Sequence, residues 1–191
     1  GNCIQGVANV DKWWTPVTGH VVSMNADGTR VAVSAPWQED TGGTRIYEFN
    51  GTSWVQLGAD IVGWTYTEQD GPKVRDWSGW SISLNADGTR VAIGAPRNNL
   101  GGYTFGADAY GFDGRTKIYE FNGTSWIQLG QDIDGEAGND ESGSSISLSA
   151  DGTRVAIGAN KNDGNGDRSG HVRIYEFNET SWVQLGVDID G

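Results

Sequence analysis

The chain is 191 residues long, carries a formal charge of -12 and has a pI near 4.4. This acidity argues against nucleic acid and anionic membrane surfaces as partners, and no apolar run approaches the length of a membrane-spanning helix. The single cysteine, Cys3, excludes an internal disulfide, and the length is enough for one domain with its own core.

Residues 1–18 read as a leader unlike the rest of the chain. Gly1 stands where an initiator Met would be, so the expectation is a processed N-terminus or a piece of something longer, which fits a removed signal peptide. Gly1-Asn2-Cys3 is not a myristoylation start, because Gln5 occupies the place of the required Ser or Thr.

From residue 19 the chain repeats itself three times. Asn25-Ala26-Asp27-Gly28-Thr29-Arg30-Val31-Ala32 returns at 85–92 and, with one change, at 149–156; the block Arg45 to Gly58 returns at 117–130 and 173–186. The units are 19–63, 78–135 and 136–191, with an insertion at 64–77, in one structural domain. A period this long implies stacked or radially arranged units. It also weighs against an enzyme, since an active site usually breaks a repeat and no catalytic set stands out here.

The middle copy supplies the elements in chain order. Ser81-Ile82-Ser83-Leu84 alternates with period two and predicts a strand. Asn85-Ala86-Asp87-Gly88 predicts a turn with positive φ at Gly88, and likewise at Gly28 and Gly152. Arg90-Val91-Ala92-Ile93 is the return strand, closed by Gly94-Ala95-Pro96. Thr116 to Phe121 is a third strand rich in β-formers. Asn122-Gly123 is a hairpin turn, and Trp126 to Leu129 the fourth strand. Helical spacing is absent. Ile118 and Tyr119 are adjacent and face opposite sides, so both faces are built for burial, as in a propeller blade between two neighbours. The fold class expected is all-β and β-propeller-like, with three four-stranded blade repeats.

Ser78-Gly79-Trp80-Ser81-Ile82-Ser83, then Gly94-Ala95-Pro96, then Thr116-Lys117-Ile118-Tyr119-Glu120-Phe121 resembles an FG-GAP repeat, the blade of integrin-α-type β-propellers. The resemblance covers residues 19–191. The Gly-Ala-Pro triplet reads Ser34-Ala35-Pro36 in the first copy and Gly158-Ala159-Asn160 in the third, and Phe-Gly is replaced by Thr18-Gly19, Ser78-Gly79 and Ser142-Gly143. The family's calcium loops do not carry over, because the first turn is only Ala-Asp-Gly-Thr. The resemblance implies adhesion or protein-protein contact outside the cell. Three blades are fewer than the four to eight of a closed propeller, so the expectation is a homo-oligomer or a larger assembly that completes the ring, most simply two chains giving six blades.

Candidate sites lie where the repeats differ. The variable connections Trp37 to Gly43, Arg97 to Arg115 and Asn160 to Gly170 all join the second strand to the third, so they emerge on one rim. The rim candidates for a ligand are Trp37, Tyr103, Phe105 and Tyr110, aromatic surfaces suited to proteins or glycans. Asn160, Asn162, Asp163, Asn165 and Asp167 have the oxygen density of a calcium loop, without EF-hand spacing, or form a plain polar Gly-Asn turn. Beyond calcium no cofactor is implied. Asn50, Asn122 and Asn178 each open a glycosylation acceptor sequence at a hairpin tip, where Asn-Gly turn chemistry is the competing explanation. Trp54, Trp126 and Trp182 hold equivalent places and predict core or blade-edge packing, and His20 and His171 predict structural roles. The reading is a non-catalytic extracellular binding, adhesion or scaffold protein. The alternatives are a glycan-binding propeller and, behind it, a polysaccharide-active enzyme.

Overall fold

The computed structural model describes residues 18–38, 41–66, 74–98 and 111–191. The first sheet holds β1 (Val22–Met24), β2 (Arg30–Ala35), β3 (Gly43–Phe49) and β4 (Trp54–Gln56) in that order, with β5 (Ile61–Val62) beside the start of β3. A short hairpin, β6 (Thr65–Tyr66) with β7 (Val74–Arg75), comes next. The second sheet repeats the plan with β8 (Ser81–Leu84), β9 (Arg90–Ala95), β10 (Arg115–Phe121), β11 (Trp126–Gln128) and β12 (Ile133–Asp134). The third has β13 (Ser142–Leu148), β14 (Arg154–Ala159), β15 (His171–Phe177), β16 (Trp182–Gln184) and β17 (Ile189–Asp190). All pairings between these strands are antiparallel. The fold is all-β and propeller-like. The predicted four-strand path is present in each unit, and the structure adds the two-residue fifth strand. The second strand also runs on through Ala35 or Ala95 before its proline.

The turns explain why the repeats keep their residues. Thr29 donates its N–H (2.9 Å) and hydroxyl (2.6 Å) to Asp27 Oδ1, and Asp87 and Asp151 accept the same two bonds from Thr89 and Thr153. Asn25 Oδ1 and Asn85 Oδ1 accept the N–H of Arg30 and Arg90. Ser149 replaces asparagine in the third copy because its hydroxyl accepts the Arg154 N–H at 2.9 Å. The same hydroxyl, with Thr153, pulls Asp151 down to about 2. Gly28, Gly88 and Gly152 have φ of 74°, 67° and 69°, as the turn chemistry predicts.

The sheets stack face on face. Ala32, Ile46 and Ile61 of the first meet Ile82, Leu84, Val91 and Ile93 of the second in one buried cluster. Ala92, Ile118 and Ile133 of the second meet Leu148, Val155, Ile157 and Trp182 of the third in another. The middle sheet is thus covered on both faces, as the adjacent Ile118 and Tyr119 predict.

Two substitutions test the turn geometry. A Cβ on Gly88 would lie 2.8 Å from Arg30 Cδ and 3.2 Å from Asn25 Cβ of the preceding sheet, on a left-handed backbone. Gly88→Val is expected to lower unfolding free energy by more than about 1 kcal/mol in urea titrations. At the other hairpin tip Glu179 stands at φ 78° where Gly51 and Gly123 have 96° and 100°. Glu179→Gly is expected to add roughly 1 kcal/mol by relieving the left-handed strain. Unchanged stability in both variants would remove the strain argument.

Candidate functional site

The antiparallel order sorts the connections onto two rims. One rim holds the near-identical turns at Asp27-Gly28, Asp87-Gly88 and Asp151-Gly152 and the hairpin tips at Asn50, Asn122 and Asn178. The other holds every link from second strand to third and every link between sheets, so the variable connections do gather at one end.

On that variable rim, at the junction of the first and second sheets, aromatic and cationic side chains form a column. Trp37 follows β2 and Pro36, Arg97 follows β9 and Pro96, His20 precedes β1, and Trp77 and Trp80 flank Ser78-Gly79 at the entry to β8. Ser78 is held there by a parallel bridge to Gly42. Trp77 and Trp80 stack with centroids 5.0 Å apart and planes 19° apart. Trp37 meets them edge-on at 6.5 and 6.1 Å, and His20 lies 4.7 Å from Trp37 and 5.1 Å from Trp80. The Arg97 guanidinium sits 3.8 Å over Trp77 and 4.9 Å from the Phe112 ring, a cation-π arrangement. All four of His20, Trp37, Trp77 and Trp80 are partly exposed.

The next junction repeats the backbone with other side chains. Glu141 and Lys161 stand where Trp77 and Arg97 stand, and they form a 2.8 Å ion pair. Trp77 and Glu141 share a left-handed φ, 57° and 52°. A fixed scaffold therefore presents different chemistry at each junction. Of the rim residues read from sequence, Trp37 belongs to the column, while Tyr103, Phe105 and Tyr110 lie outside the described residues. Sequence reasoning did not single out Trp77, Trp80, His20 and Arg97 as one group. Their non-repeated positions were the available signal.

Beneath the column Asp76 is buried. Burial raises its carboxyl to about 6, against hydrogen bonds from the N–H groups of Trp64 (2.8 Å to Oδ2) and Ser78 (3.0 Å to Oδ1) that pull it down. It lines a recess with Arg115, Lys117 and Tyr119 whose space, about 20 Å³, suits one water molecule. Burial, with Asp132 and Asp76 nearby, pushes the Tyr119 hydroxyl up to about 12.

The polar loop after β14 folds on itself. Asn162 is buried, gives its amide to Asp140 at 2.9 Å and accepts the Gly164 N–H at 2.8 Å. Asp163 accepts the Arg168 N–H at 2.7 Å, and Asn165 donates to Gly191 O at 2.8 Å. None of these bonds joins two of the five proposed calcium ligands, and Asn160 and Asp167 are exposed. Among the described residues the His, Cys, Asp and Glu side chains that come into mutual reach are Glu136, His171 and Asp188, whose ligand-capable atoms lie within 4.8 Å of one another. Arg173 is ion-paired to both of its carboxylates. Burial pushes Asp188 up, and hydrogen bonds from Gln184 and Arg173 outweigh it and hold the group low. A guanidinium between the two acids fills the place of a cation. The same pairing recurs as Arg45–Asp60 and Lys117–Asp132, so this is an ion pair of the repeat.

Asn50, Asn122 and Asn178 are exposed at their hairpin tips. Each uses Oδ1 to accept N–H groups of the following Thr and Ser, and these bonds do not involve Nδ2, the nitrogen a glycan would join.

No family model matches the chain, and no curated protein matches it. Among solved structures it is similar to a protein of Bacteroides fragilis provisionally named 6-phosphogluconolactonase, with TM-score 0.54, 13% identity and 89% of this chain covered. It also aligns with the β-propeller domain of the trilobed protease of Pyrococcus furiosus at TM-score 0.45 and 10% identity, over 87% of this chain. The chain spans 38% and 42% of those two chains. At these identities the first likeness bears on the fold alone.

The Asp76 carboxyl has a stability signature. Its folded pKa lies above the ordinary 3.8, so the folded state disfavours the charged form. Stability contributed by the neutral form is present at low pH and is lost as pH rises from about 4 to about 6. The thermal midpoint is expected to rise between pH 7.5 and pH 5, by the equivalent of roughly 1–1.5 kcal/mol, and Asp76→Asn should flatten that rise. A rise that persists in the variant would assign it to other groups.

Proposed function

We propose that this chain is a non-catalytic binding and scaffolding protein of the FG-GAP kind, extracellular, whose partner contact lies on the variable rim between the first and second sheets. The observation that carries this reading is the column of Trp37, Trp77, Trp80, His20 and Arg97 on a backbone that the next junction repeats with Glu141 and Lys161. Large rigid aromatics beside an arginine, partly exposed on connecting loops, are the composition of protein-contact hot spots.

The chemistry favours a protein over a glycan. Sugar stacking needs an open ring face, and Trp77 already has Arg97 and Trp80 against it while His20 and Trp37 close on Trp80. It also favours binding over catalysis. Asp76, a carboxyl raised toward neutrality, has both oxygens engaged by backbone N–H groups and so orders the loop that carries Trp77.

The test uses immobilised protein exposed to the extracellular fraction of its native source and to a glycan array. A protein ligand is expected to be retained, and the Trp37→Ala/Trp80→Ala variant, if its thermal midpoint is unchanged, should retain less than a tenth as much. Glycan capture by the same residues would replace this reading with the lectin one, and undiminished retention by the variant would move the site elsewhere. The extracellular reading has its own check at the hairpin tips. Protein from a eukaryotic native source should lose mass on enzymatic deglycosylation, through Asn50, Asn122 or Asn178. An unchanged mass leaves the turn explanation for these asparagines.

A further inference from the structure

The molecule makes the same sheet-to-sheet contact twice, and each contact joins two unlike halves. Between the first and second sheets, the Leu84 N–H donates to Ser23 Oγ (2.9 Å), the Ala26 N–H to Ala86 O (2.9 Å), Arg30 Nη1 to Gly88 O (3.2 Å) and Trp126 Nε1 to Leu57 O (2.8 Å). The Arg30 guanidinium also lies 6.0 Å from the Phe121 ring. Between the second and third sheets the set recurs in register. The Leu148 N–H donates to Ser83 Oγ (3.0 Å), the Ala86 N–H to Ala150 O (2.9 Å), Arg90 Nη1 to Gly152 O (3.1 Å) and Trp182 Nε1 to Leu129 O (2.8 Å). Arg90 lies 6.0 Å from Phe177.

The third sheet carries the first half of this contact on its outer face, as Ser147, the Ala150 N–H, Arg154 and the Leu185 carbonyl. The first sheet carries the second half on its own outer face, as the Met24 N–H, the carbonyls of Ala26 and Gly28, Phe49 and Trp54. Both faces are bare among the described residues. The Arg154 side chain is 57% exposed where Arg30 and Arg90 are 19% and 20%. Val22 and Met24 are 62% and 57% exposed where their counterparts Ile82 and Leu84 are 6% and 7%. Ile189 is 57% exposed where Ile61 and Ile133 are 6% and 4%. The open surfaces are thus sheet faces, because the units join through side-chain faces.

We propose that the outer face of the third sheet docks, head to tail, on the outer face of the first sheet of a second copy of this chain. The occupant is specified by the two faces themselves, since each is the mate of the other and one molecule carries both. Docking repeats the internal contact a third time. Met24 N–H donates to Ser147 Oγ, the Ala150 N–H to Ala26 O, Arg154 to Gly28 O beside Phe49, and Trp54 Nε1 to Leu185 O, while Val22, Met24 and Ile189 leave water. A contact of two unlike faces either closes into a ring or runs on. The first strands β1 and β8, and β8 and β13, lie side by side, so the sheets step around a shared inner edge and favour closure. This surface is independent of the aromatic rim.

The test is a complementation of masses in solution. The chain alone is expected at a discrete multiple of 20.5 kDa at micromolar concentration. Met24→Glu and Leu185→Glu, each altering one exposed face, should each be monomeric with unchanged circular dichroism. An equimolar mixture of the two variants should give a species of twice the chain mass, because each supplies the face the other has lost. Trp37→Ala/Trp80→Ala should assemble as the parent does. A monomeric parent chain overturns the proposal. So does a parent that assembles while the two variants fail to pair, which would mean a like-with-like contact or a different partner surface.

Discussion

One constraint organises this molecule: the sheets join through their faces, and the middle sheet buries both of its faces against sheets of its own kind. Small residues on the strands let neighbours approach, and the larger aliphatics fill the gap, so Ala32 and Ile46 meet Ile82 and Leu84 and the pattern returns one sheet later. The apolar contact supplies most of the driving force. The directional bonds around it fix the register. An arginine reaches across to a turn carbonyl at one end, and an indole N–H reaches back to a leucine carbonyl near the other. These four groups explain why arginine follows the first two Asp-Gly-Thr turns and why tryptophan opens the fourth strand of the second and third sheets.

The two rims answer to different demands. The invariant rim is a set of short turns in which an Asp or Asn side chain satisfies the backbone N–H groups of the turn. Loss of one of these side-chain acceptors loosens the turn and the neighbouring sheet that leans on it. The variable rim has no such burden. Its backbone course is kept by the bridges Gly42 to Ser78 and Gly114 to Ser142 and by a left-handed residue before each. Side chains on it are free to differ, and the aromatic column in one junction and the Glu141–Lys161 pair in the next are the result.

The charged clusters that chemistry would notice first turn out to belong to the scaffold. Arg45 with Asp60, Lys117 with Asp132 and Arg173 with Asp188 are one pair in three copies. His171 and Glu136 add to the last copy and make it resemble a metal site, yet its carboxylates already neutralise Arg173. The carboxylate that burial perturbs most toward neutrality, Asp76, is a loop anchor whose counterpart Asp140 anchors the next loop through Ala137 and Asn162.

Much of this was legible in the residues alone. Period-two alternation, Asp-Gly and Asn-Gly turns and the threefold repeat determine the strands, the turn conformations and the propeller-like class, because those are local preferences of a few neighbouring residues. The single-rim placement of the variable links is legible too, since antiparallel order alone sends them there. Other features needed the tertiary structure. The two-residue fifth strand is too short to leave a periodic signal. Trp37, Trp77, Trp80, His20 and Arg97 come from four separate stretches of chain, and only the stacking of one sheet on the next brings them together. The polar loop after β14 has a ligand-like composition, but which oxygens bond to the loop's own N–H groups depends on its folded path. The same holds for the outer faces. Val22 and Ile82 are alike in sequence pattern, and what separates them is whether another sheet lies against them.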